Sequence, residues 1–294
     1  MSLLSSERLV VAVHKRGINT LHVRRGRLPS SPLVVLDQQR LDVDSDPGDK
    51  SDGDQSWRPS AALLSALPKV SIECKLHFVL SNHFVRYVLL PWNSIVGCNG
   101  DTQNLARAQF QLAFGEASAS WHVIVEEPRF RSACLAIAVD GHLLAAAREA
   151  AAVAGLSVSG IRPYLLTALK HRRTAMRQAA KKTPGWFAVF EPGRLTLLGR
   201  VQNGAASLHN IRLHEPEAML PTLHQCIATD RLKSTLDGQV YVHAPGWSGD
   251  DADVAPFVRL DGVASSGNIL EGKVGSDRDF GQAMALAGVG DAFA

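Results

Sequence analysis

Cysteine and histidine side chains lie close together at two places in the sequence. Cys74 precedes His77 by three residues, and His224 precedes Cys226 by two. Zinc sites use these side chains, so each pair resembles half of a ligand set. On a strand, however, Cys74 and His77 point to opposite faces because side chains alternate with a period of two. None of the eleven histidines forms an HExxH pattern, so the sequence predicts no metal site.

A basic stretch without acidic residues spans residues 170–182, "KHRRTAMRQAAKK". Within it Arg173, Arg177 and Lys181 follow each other at four-residue spacing and would form one stripe on a helix. The stripe is either a solvated helix face that complements the helix dipole or a surface for an acidic partner or anionic lipid headgroups. Nucleic acid is a poorer interpretation because no aromatic residues alternate with the charges.

The overall composition is that of an ordinary globular protein. The chain has 294 residues, 46% apolar and 20% charged, with a net charge of +3. Its four cysteines show no CxxC spacing, which favours a reducing compartment. The first apolar run, residues 9–13, is too short for a signal peptide or a spanning helix. We therefore expect a cytoplasmic protein, in which any association with a membrane comes through a partner or a surface patch.

The first half of the chain opens with three strand-like runs, which begin at Leu9, Asn19 and Pro32 and predict a meander. Residues 42–56 follow, with six aspartates, and we expect a solvated mobile loop there. The stretch 77–92, "HFVLSNHFVRYVLLPW", predicts a hairpin with a turn at Ser81-Asn82. Helices and strands then alternate to the end of the basic stretch.

The second half repeats this order of elements from residue 183 onward. Strand-like runs are joined by a turn at Glu191-Pro192-Gly193 and another at Asn203-Gly204, and a helix follows. A duplicated meander with helices is the plan of the actin and RNase H-like folds. We therefore predict an α/β, two-lobed, actin-like or RNase H-like duplicated fold with mixed sheets flanked by helices. The expected lobes are 1–182, with an inserted subdomain around 70–140, and 183–294.

Three stretches carry a resemblance to a known group of proteins. They are "LSNHFVRYVLLPW", "LARAQFQLAFGEASASWHVIVEE" and "ACLAIAVDGHLLAAAREAAAVAGLSVSGIRPYLLTAL". In order and character they resemble the actin-like (ASKHA superfamily) PilM proteins of type IV pilus assembly and the cytoplasmic part of GspL proteins of type II secretion. The likeness is good over residues 70–200. It implies a scaffold that binds a cytoplasmic segment of a bitopic inner-membrane protein.

The resemblance also implies where nucleotide phosphates would bind. Actin-like ATPases place an Asp-x-Gly at the first hairpin of each half, where the backbone holds phosphate and the carboxylate a magnesium-bound water. Here the first hairpin offers His14 and Gly17 and no acid, and the second offers Glu191 and Gly193 around Pro192, which has no N–H. Gly17, Glu191 and Gly193 are therefore expected to be degenerate phosphate loops. A type II turn is the alternative interpretation of Glu191-Pro192-Gly193.

Two functions follow from these expectations. The first is a non-catalytic or weakly nucleotide-binding scaffold, a pseudo-ATPase that requires no cofactor. The alternative is an active ATPase or small-molecule kinase that uses ATP and Mg²⁺. An RNase H-like nuclease is excluded because the first strand has no clustered carboxylates. No catalytic residue is assigned, and neither a homo-oligomer nor peripheral contact with the membrane conflicts with the sequence.

Overall fold

A computed structural model gives the structure of the chain. It describes twelve ranges of residues: 6–26, 32–43, 56–70, 73–92, 99–126, 132–179, 184–201, 204–233, 236–245, 257–260, 270–271 and 280–292. The expected acidic loop, residues 42–56, lies almost wholly outside these ranges. Lys181 also lies outside them.

Strands and helices alternate along the described residues. The strands are β1 Ser6–His14, β2 Gly17–Arg25, β3 Leu33–Asp42, β4 Lys75–Leu80, β5 Val85–Leu90, β6 Trp121–Val125, β7 Cys134–Asp140, β8 Ser157–Pro163, β9 Pro184–Glu191, β10 Arg194–Val201, β11 Gly204–Arg212, β12 Gln239–His243, β13 Val258–Arg259 and β14 Leu270–Glu271. The α-helices are α1 Arg58–Ala62, α2 Asn99–Phe114, α3 Gly141–Val153, α4 Tyr164–Ala179, α5 Met219–Lys233 and α6 Phe280–Ala292. Short 3-10 helices cover Leu63–Ala66, Gly115–Ser120 and Pro216–Ala218. Within the part of the chain that is described, none of the helices combines the length and apolarity needed to span a bilayer.

The first sheet has six strands in the order β14-β3-β2-β1-β4-β8. Strands β1, β2 and β3 form the predicted antiparallel meander, and β4 and β8 add to it in parallel. Strand β1 is buried along most of its length because its aliphatic run is covered on both faces. Helix α6 packs against β1, β2 and β4.

The second sheet has five strands in the order β11-β10-β9-β12-β13 and contains the second predicted meander. Its inner face and helix α5 share one apolar core that includes Trp186, Leu197, Leu223 and Ile227. The repetition of the meander, inferred from turn residues alone, is therefore confirmed.

A third sheet has the order β5-β7-β6, and its core with helix α2 includes Ala106, Phe110 and Val123. This sheet shows that the hairpin predicted over 77–92 is wrong. The chain does turn at residues 81–84, where the Phe84 N–H donates to the Ser81 carbonyl at 3.0 Å. The two strands then enter different sheets, since β4 pairs with β1 and β8 while β5 pairs with β7.

By its contacts the chain forms two compact units that are not continuous in sequence. Unit 1 comprises Met1–Phe84, His142–Ala175 and Val263–Ala294, and unit 2 comprises Val85–Gly141 and Met176–Gly262. Unit 1 contains the six-stranded sheet, and unit 2 contains the other two sheets. The division into lobes at residues 182 and 183 stays a prediction.

Candidate functional site

The first predicted phosphate loop lies at the turn between β1 and β2. Gly17 has a φ of +148°, and it pairs with His14 on β1 and with Asp42 on β3. A Cβ atom at this position would collide with the Leu41 carbonyl oxygen. Glycine is therefore required here by the close approach of β3.

The side chain of His14 is held inside unit 1. Its exposure is 5%, and its Nε2 lies 2.7 Å from Oδ1 of Asn19. The Ser60 hydroxyl donates to the His14 carbonyl at 2.6 Å, and the ring of Phe280 meets the imidazole edge-on with centroids 5.8 Å apart. Helix α6 begins so close to this pair that a Cβ on Gly281 would overlap Asn19. Packed side chains thus occupy the interior of the first hairpin.

The second predicted phosphate loop is the turn between β9 and β10. Gly193 has a φ of +80° and follows Pro192, the combination that a type II turn requires. The Gly193 carbonyl accepts the Leu213 N–H at 2.9 Å. Glu191, at the end of β9, is 4% exposed.

Several charged and polar groups surround Glu191 within unit 2. Burial raises the pKa of Tyr87 well above its usual value, and the charge of Glu191 raises it further. Burial and then the nearby Arg86 lower the pKa of Arg194, while Glu191 opposes this shift. Nη1 of Arg194 donates to Oδ1 of Asn210 at 2.8 Å. A carboxylate beside the guanidinium group of Arg194 differs from the oxygen-rich set that Mg²⁺ prefers.

The two cysteine–histidine pairs provide no metal centre among the described residues, where no group of three or more candidate ligands occurs. Cys74 and His77 are both buried, whereas His224 is exposed and its ring lies tilted against that of Phe257, with centroids 4.9 Å apart. Burial raises the pKa of the Cys74 thiol to about 11 and does the same to that of Cys226. Both remain thiols at neutral pH, and the thiolate is the form that binds metal.

The basic stretch lies on the C-terminal half of α4. Arg173 is exposed, but Arg172 is only 4% exposed, so the six cations do not all share one solvated face. Lys170 forms an ion pair with the buried Asp291 of α6 at 2.5 Å. Arg177 lies on the same helix, and the structure does not test a stripe with Lys181.

Sequence reasoning missed a polar cluster around Asp230 in unit 2. This carboxylate is 4% exposed and accepts hydrogen bonds from Nε1–H of Trp186, at 2.8 Å, and from the Ser207 hydroxyl. Its Oδ1 also lies 2.7 Å from Nε2 of His209. Ser207 and His209 are two residues apart on β11 and share one face, which the sequence does indicate. Nothing in the sequence links them to Asp230. The serine donates to the aspartate and not to the histidine, so the cluster lacks the nucleophile–base pair of a hydrolase.

Comparisons with known proteins give similarity at the level of structure. No family model matches the chain, and no curated protein does. A chain of the PilM–PilN type IV pilus biogenesis complex aligns with a TM-score of 0.62 and 11% identity over 98% of both chains. The cytoplasmic domain of EpsL, an inner-membrane component of the type II secretion system of Vibrio cholerae, gives 0.51 and 11% over 97% of this chain and 95% of its own.

A third structure, a Bacteroides thetaiotaomicron protein with an actin-like ATPase fold and unknown function, gives a TM-score of 0.55 and 7% identity over 96% of this chain and 95% of that one. At such low identities the likeness concerns the fold. The α/β prediction made from the duplicated meander is thereby confirmed. The chain has the actin-like fold of these PilM- and EpsL-type proteins.

Proposed function

We propose that this chain is an actin-like scaffold of an inner-membrane platform, in a type IV pilus or type II secretion machine. It binds a cytoplasmic segment of a membrane-anchored partner and works in the cytoplasm at the membrane surface. The observation that supports this most is the fold similarity over nearly the whole length of the PilM–PilN chain and of the EpsL domain.

The degenerate nucleotide site is part of the same proposal. The first hairpin has His14 and Asn19 in its interior and no carboxylate within its turn. The second has Glu191, whose charge lies beside Arg194 and Tyr87. An active ATPase or kinase of this fold needs phosphate loops at these two hairpins and an acid that holds Mg²⁺. The described residues of these two hairpins do not supply that set, which supports a function carried by shape and surface and not by turnover.

A calorimetric titration tests whether the chain binds the proposed partner. The neighbouring genes are first searched for a short protein with one amino-terminal spanning helix, and the probe is a synthetic peptide of the cytoplasmic segment of that protein. We expect saturable binding by isothermal titration calorimetry. Two negative results together would contradict the proposal: no heat when the peptide is titrated into the wild-type chain, and no co-purification of the chain with the full-length membrane protein.

The basic stretch that begins on α4 is proposed to contact the anionic membrane surface. The exposed Arg173 contributes, together with Arg177 and Lys181, which follow it at four-residue spacing in the sequence. Flotation with vesicles of phosphatidylglycerol and phosphatidylethanolamine tests this. Arg173→Glu is expected to reduce the bound fraction, whereas Lys233→Glu, at an exposed position of α5, is the matched control. Equal loss in both variants would show a general charge effect.

A further inference from the structure

The three-stranded sheet belongs to unit 2, although the chain enters it from unit 1 at Val85 and returns to unit 1 after Gly141. Among the described strands, β5, β6 and β7 pair only with one another. A segment of about 60 residues buries too little surface to be more than marginally stable by itself. The stability of this sheet therefore depends on what holds it within unit 2.

Strand β11 of the five-stranded sheet contacts the three-stranded sheet near both of its own ends. Ala205, the second residue of β11, forms an antiparallel bridge with Ala133, which directly precedes β7. Near the other end, Nδ2 of Asn210 donates to the carbonyl of Val85, the first residue of β5, at 3.3 Å. Two attachments along one strand hold the smaller sheet against rotation about either of them.

The orientation of the Asn210 amide is fixed by its neighbours. Its Oδ1 accepts hydrogen bonds from Nη1 of Arg194, at 2.8 Å, and from the Thr196 hydroxyl, at 3.3 Å. A guanidinium group can only donate and a carbonyl group can only accept, so the amide oxygen must face Arg194 and the nitrogen must face Val85. One side chain thus joins β10, its own strand and β5.

The surroundings of Asn210 explain why an amide is required there. Thr196 lies directly opposite on β10, and side chains alternate along β11, so Asn210 lies on the face opposite to His209. Thr196 and Val85 are fully buried, so each needs its hydrogen bond within the protein. Nη1 of Arg86 also lies 3.4 Å from the Val85 carbonyl oxygen, but it belongs to β5 and cannot join the two sheets.

We propose that Asn210 is the positioning residue that couples the three-stranded sheet to the five-stranded sheet, so that unit 2 unfolds locally as one body. Without its Nδ2–H, the three-stranded sheet would keep its own core with α2 and open separately from the second sheet. The proposal concerns unit 2 alone and does not depend on which partner the chain binds.

Native-state amide hydrogen exchange of the wild-type chain, resolved to single residues at increasing urea concentration, gives the first test. Ala136 lies on the central strand β7 of one sheet, and Ala188 lies on the inner strand β9 of the other. We expect equal opening constants and equal urea slopes for these two amides, because both sheets open together. A separate opening of Ala136, with a smaller slope, would overturn the proposal without any variant.

Two matched substitutions give the second test. Asn210→Asp keeps the acceptor for Arg194 and Thr196 but removes the donor to Val85, whereas Thr196→Val removes a bond within the second sheet and keeps that donor. Loss of the link should speed exchange at Ala136 about tenfold in Asn210→Asp and leave Ala188 unchanged. Thr196→Val should not separate the two amides.

A merely structural role of Asn210 would give a different result, since a general loss of stability accelerates exchange equally at Ala136 and Ala188. That outcome would overturn the proposal, as would an Asn210→Asp variant in which neither amide changes.

The buried free thiols provide a second readout on the same variants. Cys134 begins β7, and Cys226 lies in the core of the second sheet. Alkylation followed by mass spectrometry of the peptides should show Cys134 reacting about tenfold faster in Asn210→Asp than in the wild type, with Cys226 unchanged. Equal acceleration of both thiols, or of neither, would contradict the coupling.

Discussion

Nε2 of His14 lies 2.7 Å from Oδ1 of Asn19, and both side chains are buried within the first hairpin. Actin-like ATPases, as the resemblance implies, have an acid and open space for phosphate at this turn. Here the histidine is hydrogen-bonded, packed against Phe280, and covered by the first turn of α6. The pair stabilises the core of unit 1 at a place where a nucleotide-dependent protein needs a phosphate-binding surface.

The first prediction concerns this pair. Asn19→Leu leaves a buried imidazole N–H without its acceptor, which should lower the free energy of unfolding by about 1–3 kcal/mol. Urea denaturation measures the change.

The double variant His14→Phe with Asn19→Leu is the control. It replaces both polar groups by apolar ones and should lose less stability than the sum of the two single variants. Strict additivity would mean that the two side chains are not coupled.

The second prediction concerns Asp230. Asp230→Asn removes the charge that strengthens three hydrogen bonds, and it forces an amide N–H toward donors such as Trp186 Nε1. We expect unfolding free energy to fall by about 3 kcal/mol, since hydrogen bonds to charged groups contribute more than neutral ones. Thermal and urea unfolding of the purified variant measure it.

Asp237→Asn is the matched control, because the Asp237 side chain is 90% exposed and 3.8 Å from Arg231. An exposed pair of this kind contributes less than about 1 kcal/mol. A similar loss of stability in both variants would rule out a special role for the Asp230 cluster.

The third prediction is a pH dependence that arises from His77. Burial lowers the pKa of His77 to about 4, although the charge of Asp291 opposes the shift; the charges of Arg162, Lys170 and Arg8 add to the lowering. The unfolded imidazole binds a proton below about pH 6.5, and the folded one only near pH 4. Stability is therefore full above pH 6.5 and falls as the pH drops toward 4, by up to about 3 kcal/mol.

Urea unfolding of wild type and His77→Leu between pH 7.5 and 4 isolates this contribution. The difference in unfolding free energy between the two proteins should shift in favour of the variant as the pH falls. Curves that stay parallel over this range would contradict the assignment to His77.

The fourth prediction concerns nucleotide. A ligand present at a hundred times its Kd stabilises the folded state by about 2.7 kcal/mol. At millimolar Mg-ATP we expect no such stabilisation in a thermal shift experiment, and the same result for Glu191→Gln. A magnesium-dependent rise in Tm that Glu191→Gln abolishes would establish a working phosphate site.

Much of the fold follows from local sequence signals, as the two meanders show. Turn residues such as Pro192-Gly193 and apolar runs such as residues 9–13 depend on short-range chemistry, so the strands that they delimit are predictable. The failure over 77–92 has a physical cause. A buried parallel strand and one arm of a hairpin look alike in sequence, and only long-range pairing places β4 beside β1.

The candidate sites were likewise predictable only where they depend on local sequence. The missing acid at the first hairpin could be read directly from the sequence. The packing of Phe280 on His14 and the contact of Asp230 with His209 join residues far apart in the chain, and no local pattern encodes such contacts. The outer position of β6 among the described strands is likewise a property of the whole sheet, which no local pattern encodes.

The most direct test of the central claim is a calorimetric titration of the partner's cytoplasmic peptide into the full chain, once in EDTA and once with saturating Mg-ATP. If the chain works through its shape and not through nucleotide turnover, the Kd will be the same in both buffers. Binding that requires Mg-ATP, or that changes more than about tenfold with it, would contradict the account, because nucleotide would then be coupled to partner binding.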